Sequence, residues 1–205
     1  MSSNVEIKPE EFSLLCDTIK ICIENRIGVN LLPKKNIKKL YFGSFNTNPL
    51  KLNFAISNTS NYSLYWSAFT HETCHIDQYL EKSKIFLKYM LDDISVDDFP
   101  NCYFNGKYKN VKKSKKYFDN ILRMELECEQ KTLKKIKKYR LNINPSIHIQ
   151  QANLYMYYHI FMWKYKKELF GLEYENYEIL NKMPKKLLTP KEYWDTFDSL
   201  NLKWI

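Results

Sequence analysis

Apolar residues recur at helical spacing along most of this chain, and two short stretches are rich in β-prone residues. The helical spacing predicts long helices over residues 9–26, 63–82, 117–139 and 146–169. Residues 39–44 and 51–57, separated by Asn-Thr-Asn-Pro, predict two strands. A short C-terminal helix is expected through Tyr193, Trp194 and Phe197. The pattern therefore predicts an α+β fold that is mostly helical, with a small mixed sheet beside the second long helix.

The helix predicted over residues 63–82 contains His71, Glu72 and His75 in the spacing His-Glu-x-x-His. Two histidines four residues apart lie one above the other on one face of a helix. Side chains placed in this way can hold one zinc ion, and Glu72 can then accept a proton from a zinc-bound water molecule. The surrounding stripe of this face is mainly apolar, as a metal site shielded from water requires. The alternative is a helix with one buried and one exposed histidine.

The helix predicted over residues 117–139 places two carboxylates in the middle of an apolar face. Glu125 and Glu129 fall within about 60° of Phe118 around the helix axis, whereas Glu127 points to the opposite side, towards solvent. A buried carboxylate is costly unless it is paired or bound to a metal. We therefore predict that Glu125 is the third zinc ligand and that Glu129 accepts the N–H of a ligand histidine. The alternative is that both carboxylates pair with lysines or lie at the edge of the buried face.

The aromatic helix over residues 146–169 carries two further candidates, Tyr155 and His159. A tyrosine or a protonated histidine near zinc can stabilise the oxyanion of a tetrahedral intermediate. The alternative for both residues is packing in the core, with the histidine hydrogen-bonded there.

The composition is that of a globular protein, and the 205 residues are enough for one domain spanning 1–205. No apolar run is long enough for a membrane span, and the N-terminus does not resemble a signal peptide. Five cysteines without paired spacing indicate reduced thiols, so we expect a cytoplasmic protein. The net charge of +9 comes largely from lysines in 107–116, expected to be a loop, and in 131–138. These segments are either solvated surfaces or a weak site for nucleic acid or an acidic partner.

Together, the histidine motif and the later glutamate helix resemble zinc metallopeptidases of the gluzincin kind. The segment Glu125-Leu-Glu-Cys-Glu129 resembles the Glu-x-x-Ala-Asp signature of CAAX-prenyl-protease-like peptidases, and ImmA/IrrE-like peptidases have a related helix. The chain also resembles small metallopeptidases encoded by phages and other viruses. The resemblance implies that Glu125 binds zinc and that the acidic residue at 129 belongs to the same signature. One departure is Asp77, where these peptidases usually carry an apolar residue.

These observations predict a zinc-dependent metallopeptidase that acts on a protein or peptide, with Glu72 as the general base. An extended peptide would align along an edge strand, either 51–57 or a hairpin expected at Asn105-Gly106. Two other classes stay open. One is a binding protein of zincin fold without protease activity that contacts nucleic acid through its lysine-rich segments. The other is a zinc hydrolase that acts on a different ester or amide.

Overall fold

The computed structural model describes residues 7–33, 43–56, 62–91, 103, 111–167 and 176–200. The elements within these ranges are α1 (Pro9–Glu24), β1 (Gly28–Pro33), β2 (Gly43–Thr47), β3 (Leu50–Ile56), α2 (Tyr62–Leu80), α3 (Lys84–Leu91), α4 (Val111–Lys138), α5 (Pro145–Tyr165), α6 (Tyr177–Leu180) and α7 (Pro190–Thr196), followed by a 3-10 helix over Phe197–Leu200. The predicted α+β, mostly helical fold is confirmed. None of the described helices is both long enough and apolar enough to cross a membrane.

The chain divides into two compact units. The first consists of Met1–Asp77 and Gln130–Pro145, and the second of Gln78–Glu129 and Ser146–Ile205. The first unit contains α1, the sheet and the part of α2 that carries the histidine motif. The second contains α3, α6, α7 and all of α5 except its first residue, Pro145. Helices α2 and α4 each have residues in both units.

The sheet has the strand order β1-β3-β2. Strand β3 runs antiparallel to β2, after the turn at Asn48 and Pro49, and parallel to β1. Because β3 is paired on both sides, residues 51–57 cannot supply the edge strand that we predicted for substrate alignment. Among the described strands, β1 and β2 form the two edges.

Aromatic packing attaches the sheet to α2 within the first unit. The ring of Phe54, which is 2% exposed, lies 4.7 Å from the ring of Phe69 and 4.9 Å from the ring of Tyr65, measured between centroids. Both contacts are edge-to-face, the geometry that aromatic quadrupoles favour. Burial raises the pKa of Tyr65 to about 12, so its hydroxyl stays protonated at neutral pH. The small sheet therefore lies beside the histidine-bearing helix, as predicted.

The second unit has a larger core, built mainly on α5. The fully buried side chains of Met156, Tyr157 and Ile160 pack with Leu122 of α4 and Tyr193 of α7. Asn153 donates to the backbone oxygens of Pro184 and Lys186, which fixes the segment between α6 and α7. The aromatic helix is thus the centre of this core rather than an amphipathic helix at its surface.

Several element boundaries differ from the expected ones. Strand β1 was not predicted, because Gly28 and Asn30 were interpreted only as the end of α1. Helix α4 begins at Val111, so lysines assigned to a loop belong to a helix. Helix α2 begins at Tyr62 and ends at Leu80, where Lys82 adopts a left-handed backbone with φ of 52°. The hairpin expected at Asn105-Gly106 lies outside the described residues.

Candidate metal centre

The two histidines of the motif face each other one turn apart on α2. Their Nε2 atoms are 3.1 Å apart, and the ring planes are inclined at 86°. Two nitrogen ligands of a tetrahedral zinc ion, each about 2.0–2.1 Å from the metal, are about 3.3 Å apart. His75 is buried and His71 is half-buried. The separation therefore fits two ligands of one ion.

The neighbouring Glu72 is also half-buried, and its aliphatic part lies against strand β2. A methyl group on Gly43 would lie 3.1 Å from Cγ of Glu72 and 2.7 Å from the ring of Phe54. No side chain larger than hydrogen fits here unless Phe54 moves, so Gly43 allows the close approach of β2 to α2. Sequence reasoning missed this residue, although a glycine at the start of a β-prone stretch is a common sign of close backbone approach.

Lys135 of α4 holds the residues on either side of the buried His75. Its ammonium group lies 2.8 Å from a carboxylate oxygen of Asp77 and donates to the backbone oxygen and the hydroxyl of Thr73. This ion pair gives the partly buried carboxylate of Asp77 a partner of opposite charge. A second contact joins the same helices, because the hydroxyl of Thr132 donates to the sulfur of Cys74 at 3.5 Å.

Both predicted carboxylates of α4 are buried, as the helical pattern indicated. Glu125 is 5% exposed and Glu129 is 4% exposed. Glu129 lies 2.7 Å from Nε2 of His148, which is itself 4% exposed. This is the distance of an ion pair when the imidazole is protonated. Glu129 therefore faces His148, which is not a residue of the histidine motif.

Glu127 was predicted to face solvent, and this prediction is wrong. Its carboxylate accepts hydrogen bonds from Nε2 of Gln78 at 2.7 Å and from the hydroxyl of Ser83 at 2.6 Å. Gln78 also donates to the backbone oxygen of Met124. Within the second unit, these bonds attach the end of α2 and the start of α3 to α4. The helical wheel did not show this role because it treats α4 as having one buried side.

Tyr155 and His159, the candidates for oxyanion stabilisation, lie one turn apart on α5. Their ring centroids are 4.5 Å apart, and His159 is 7% exposed. Tyr155 packs against a buried aromatic cluster that includes Tyr117, Phe118 and Tyr158. These contacts fit the alternative of core packing. The catalytic role of both residues stays a prediction.

A further buried donor on α4 is a cysteine. Cys128 is fully buried. A thiolate, like an imidazole nitrogen, is a ligand that zinc accepts. The helical pattern did not single this residue out, since it falls about 80° from Phe118 around the helix axis, just outside the face considered.

No protein-family model, no curated protein and no solved structure matches this chain. A functional assignment therefore depends on the chemistry of the described side chains, of which the His71–His75 pair is the most informative.

Proposed function

We propose that this protein is a zinc-dependent metallopeptidase in which His71 and His75 bind the metal and Glu72 is the general base. The observation that carries the proposal is the 3.1 Å separation of the two Nε2 atoms, with the carboxylate of Glu72 on the adjacent position of the same helix. Spacing alone would allow the two rings to point apart. Convergence on one point is the property that a shared ion requires.

The third ligand has two candidates on α4. The resemblance to gluzincins implies Glu125, and the thiol of Cys128 is the second candidate. Both are buried, so either would supply a negative charge in a site of low dielectric. We favour Glu125, and Cys128 is the alternative.

We expect substitution of one third-ligand candidate to abolish zinc binding and substitution of the other to preserve it. Glu125→Gln should weaken zinc binding by more than about 100-fold, because loss of an outer hydrogen-bond partner alone costs 10–100-fold. Cys128→Ser, on the same helix, should retain about one zinc per chain. The metal content of each variant after dialysis, and its competition for zinc with a chromogenic chelator, test both expectations. The reverse result would assign the ligand to Cys128.

Zinc bound at this site would polarise a peptide carbonyl and acidify a water molecule. The carboxylate of Glu72 accepts the proton as that water attacks the carbonyl, and it then donates the proton to the departing amine. Gly43 keeps the wall beside Glu72 free of a side chain. An edge strand, β1 or β2, is available to align an extended substrate by backbone hydrogen bonds. The substrate would thus be a protein or peptide in extended form.

The decisive experiment is the substitution Glu72→Gln. It preserves the shape of the side chain and both histidines, so zinc content should not change. Hydrolysis of an unstructured protein such as casein, or of a fluorogenic peptide mixture, should fall by about 10²–10⁴-fold because the general base is lost. Glu81→Gln, further along the chain, is the matched control and should keep wild-type activity. Hydrolysis by Glu72→Gln at the wild-type rate would disprove the assignment.

We further propose that the protein works in the cytoplasm. The four described cysteines, Cys16, Cys22, Cys74 and Cys128, form no disulfide. Disulfides are rare in cytoplasmic proteins, where thiols are kept reduced.

A further inference from the structure

A basic cleft with a volume of about 720 Å³ lies in the second unit, and none of its lining residues is assigned to zinc. The basic side chains that line it come from α4 and α7: Lys112, Lys115, Lys116, Arg123 and Lys191. The indole rings of Trp163, on α5, and Trp194, on α7, line it as well. A cleft of this size is within the range of ligand-binding sites.

The acidic side chains of the cleft do not balance its positive charge. Asp119 pairs with Arg123 at 2.8 Å, and Asp195 pairs with Lys191 at 3.0 Å. Two acidic groups face five basic ones, so the cleft keeps a net charge of three positive units. The excess comes from the lysines at the start of α4, and its field favours an anionic ligand.

These lysines are poorly placed for the stability of their own helix. The first turn of α4 contains no acidic residue, although the helix dipole favours acids at this end. Lys112 and Lys116 are four residues apart, a spacing at which like charges repel. Helix formation therefore does not explain why the lysines are concentrated here. The same dipole would strengthen the binding of an anion.

The two tryptophans give the cleft an aromatic surface among the cations. Their centroids are 5.0 Å apart and their rings are nearly perpendicular. The ammonium group of Lys115 lies 4.9 Å from the ring centroid of Trp194 and 5.9 Å from that of Trp163. Both rings are half-buried, so part of their surface is accessible. Lysines beside accessible indoles are the combination that binds phosphates and stacks bases in single-stranded nucleic acid.

We propose that this cleft binds single-stranded nucleic acid, with phosphates on Lys112 and Lys115 and a base stacked on Trp194. From Lys112 to Arg123, α4 rises about 16 Å. That length matches about five nucleotides at the axial spacing of a stacked strand, about 3.4 Å. The proposal does not depend on the zinc site, and Glu72→Gln should bind nucleic acid as the wild type does.

The test is fluorescence anisotropy with a labelled oligothymidylate of about 15 nucleotides, over salt concentrations from about 50 to 200 mM. The double substitution Lys112→Glu and Lys115→Glu should weaken binding at least about 10-fold. It should also reduce the slope of log affinity against log salt by about 1.4, the value for two phosphate contacts on a single strand. Lys134→Glu with Lys137→Glu, the same charge change on exposed positions of α4, should alter affinity by less than about 3-fold.

Substitutions of Trp194 test the stacking contribution separately from the charge. Trp194→Leu should lower affinity at least about 5-fold without changing the salt slope. Trp194→Phe, which keeps an aromatic ring, should retain most of the wild-type affinity. A thermal melt of each variant shows whether it is folded. The lysine variants keep the proposal testable if Trp194→Leu does not fold.

Four outcomes would overturn the proposal. These are absence of oligothymidylate binding at low salt, an equal loss in both lysine double variants, duplex DNA bound as tightly as single strands, and competition by polyglutamate as effective as competition by unlabelled oligothymidylate. The second would show that only net charge matters. The last two would assign the cleft to general polyanion binding.

Discussion

Each unit contains a close pair of side chains that includes a histidine, and these two pairs differ in what the imidazole faces. In the first unit, His71 and His75 face each other at 3.1 Å. In the second, His148 faces the carboxylate of Glu129 at 2.7 Å. In the second pair the imidazole faces a carboxylate, which balances its charge when the ring is protonated. In the first pair, a shared proton or a metal ion can lie between the two ring nitrogens.

This difference shows how a metal site can be separated from a core histidine. Burial does not distinguish them, because His75 is 8% exposed and His148 is 4% exposed. The chemical identity of the atom that faces the imidazole does distinguish them. The histidine that faces a carboxylate needs no ligand, whereas the two that face each other are suited to bind one.

The largest effect is expected when the imidazole–carboxylate pair is broken. Glu129→Ala should lower the free energy of unfolding by about 3–5 kcal/mol, because it leaves the buried His148 without its acceptor. The double substitution Glu129→Leu with His148→Phe should cost less than the single one, since no buried polar group remains unpaired. Urea denaturation measures both. A single substitution costing under about 1 kcal/mol would contradict the structural role of this pair.

The next effect is the response to zinc, which should separate the two pairs. At free zinc about 100 times above the dissociation constant, the wild type should gain about 2.7 kcal/mol, and its melting temperature should rise by several degrees. The gain should vanish in His71→Ala and persist in His148→Ala, although the latter starts from lower stability. Differential scanning calorimetry with and without zinc tests this. Loss of the response in both variants would remove the distinction between the pairs.

The smallest effect on stability is expected when the Lys135 contacts beside His75 are removed. Lys135→Met should lower the free energy of unfolding by about 1 kcal/mol, because Asp77 and Thr73 lose their hydrogen-bond partner beside His75. Lys137→Met, at an exposed position of the same helix, should change it by less than about 0.5 kcal/mol. Chemical denaturation of both variants at the same pH gives the comparison. Equal effects would show that the Lys135 contacts contribute nothing particular.

The sequence by itself determined the long helices and the motif. Helical periodicity located α2, α4 and α5 because a 3.6-residue repeat of apolar side chains is a local property of the chain. The spacing of His71 and His75 placed them on one face for the same reason. The pattern on α4 also identified Glu125 and Glu129 as buried.

Only the tertiary structure decided which groups meet. Helix α4 buries residues on more than one side, so Glu127, expected in solvent, bonds to Gln78 and Ser83, and Cys128 becomes fully buried. The pairing of Glu129 with His148 and that of Lys135 with Asp77 join residues distant in sequence. A helical wheel records the direction of a side chain from its own axis but not the element packed there. The chemical partner of each buried group is therefore a property of the fold, which periodicity cannot supply.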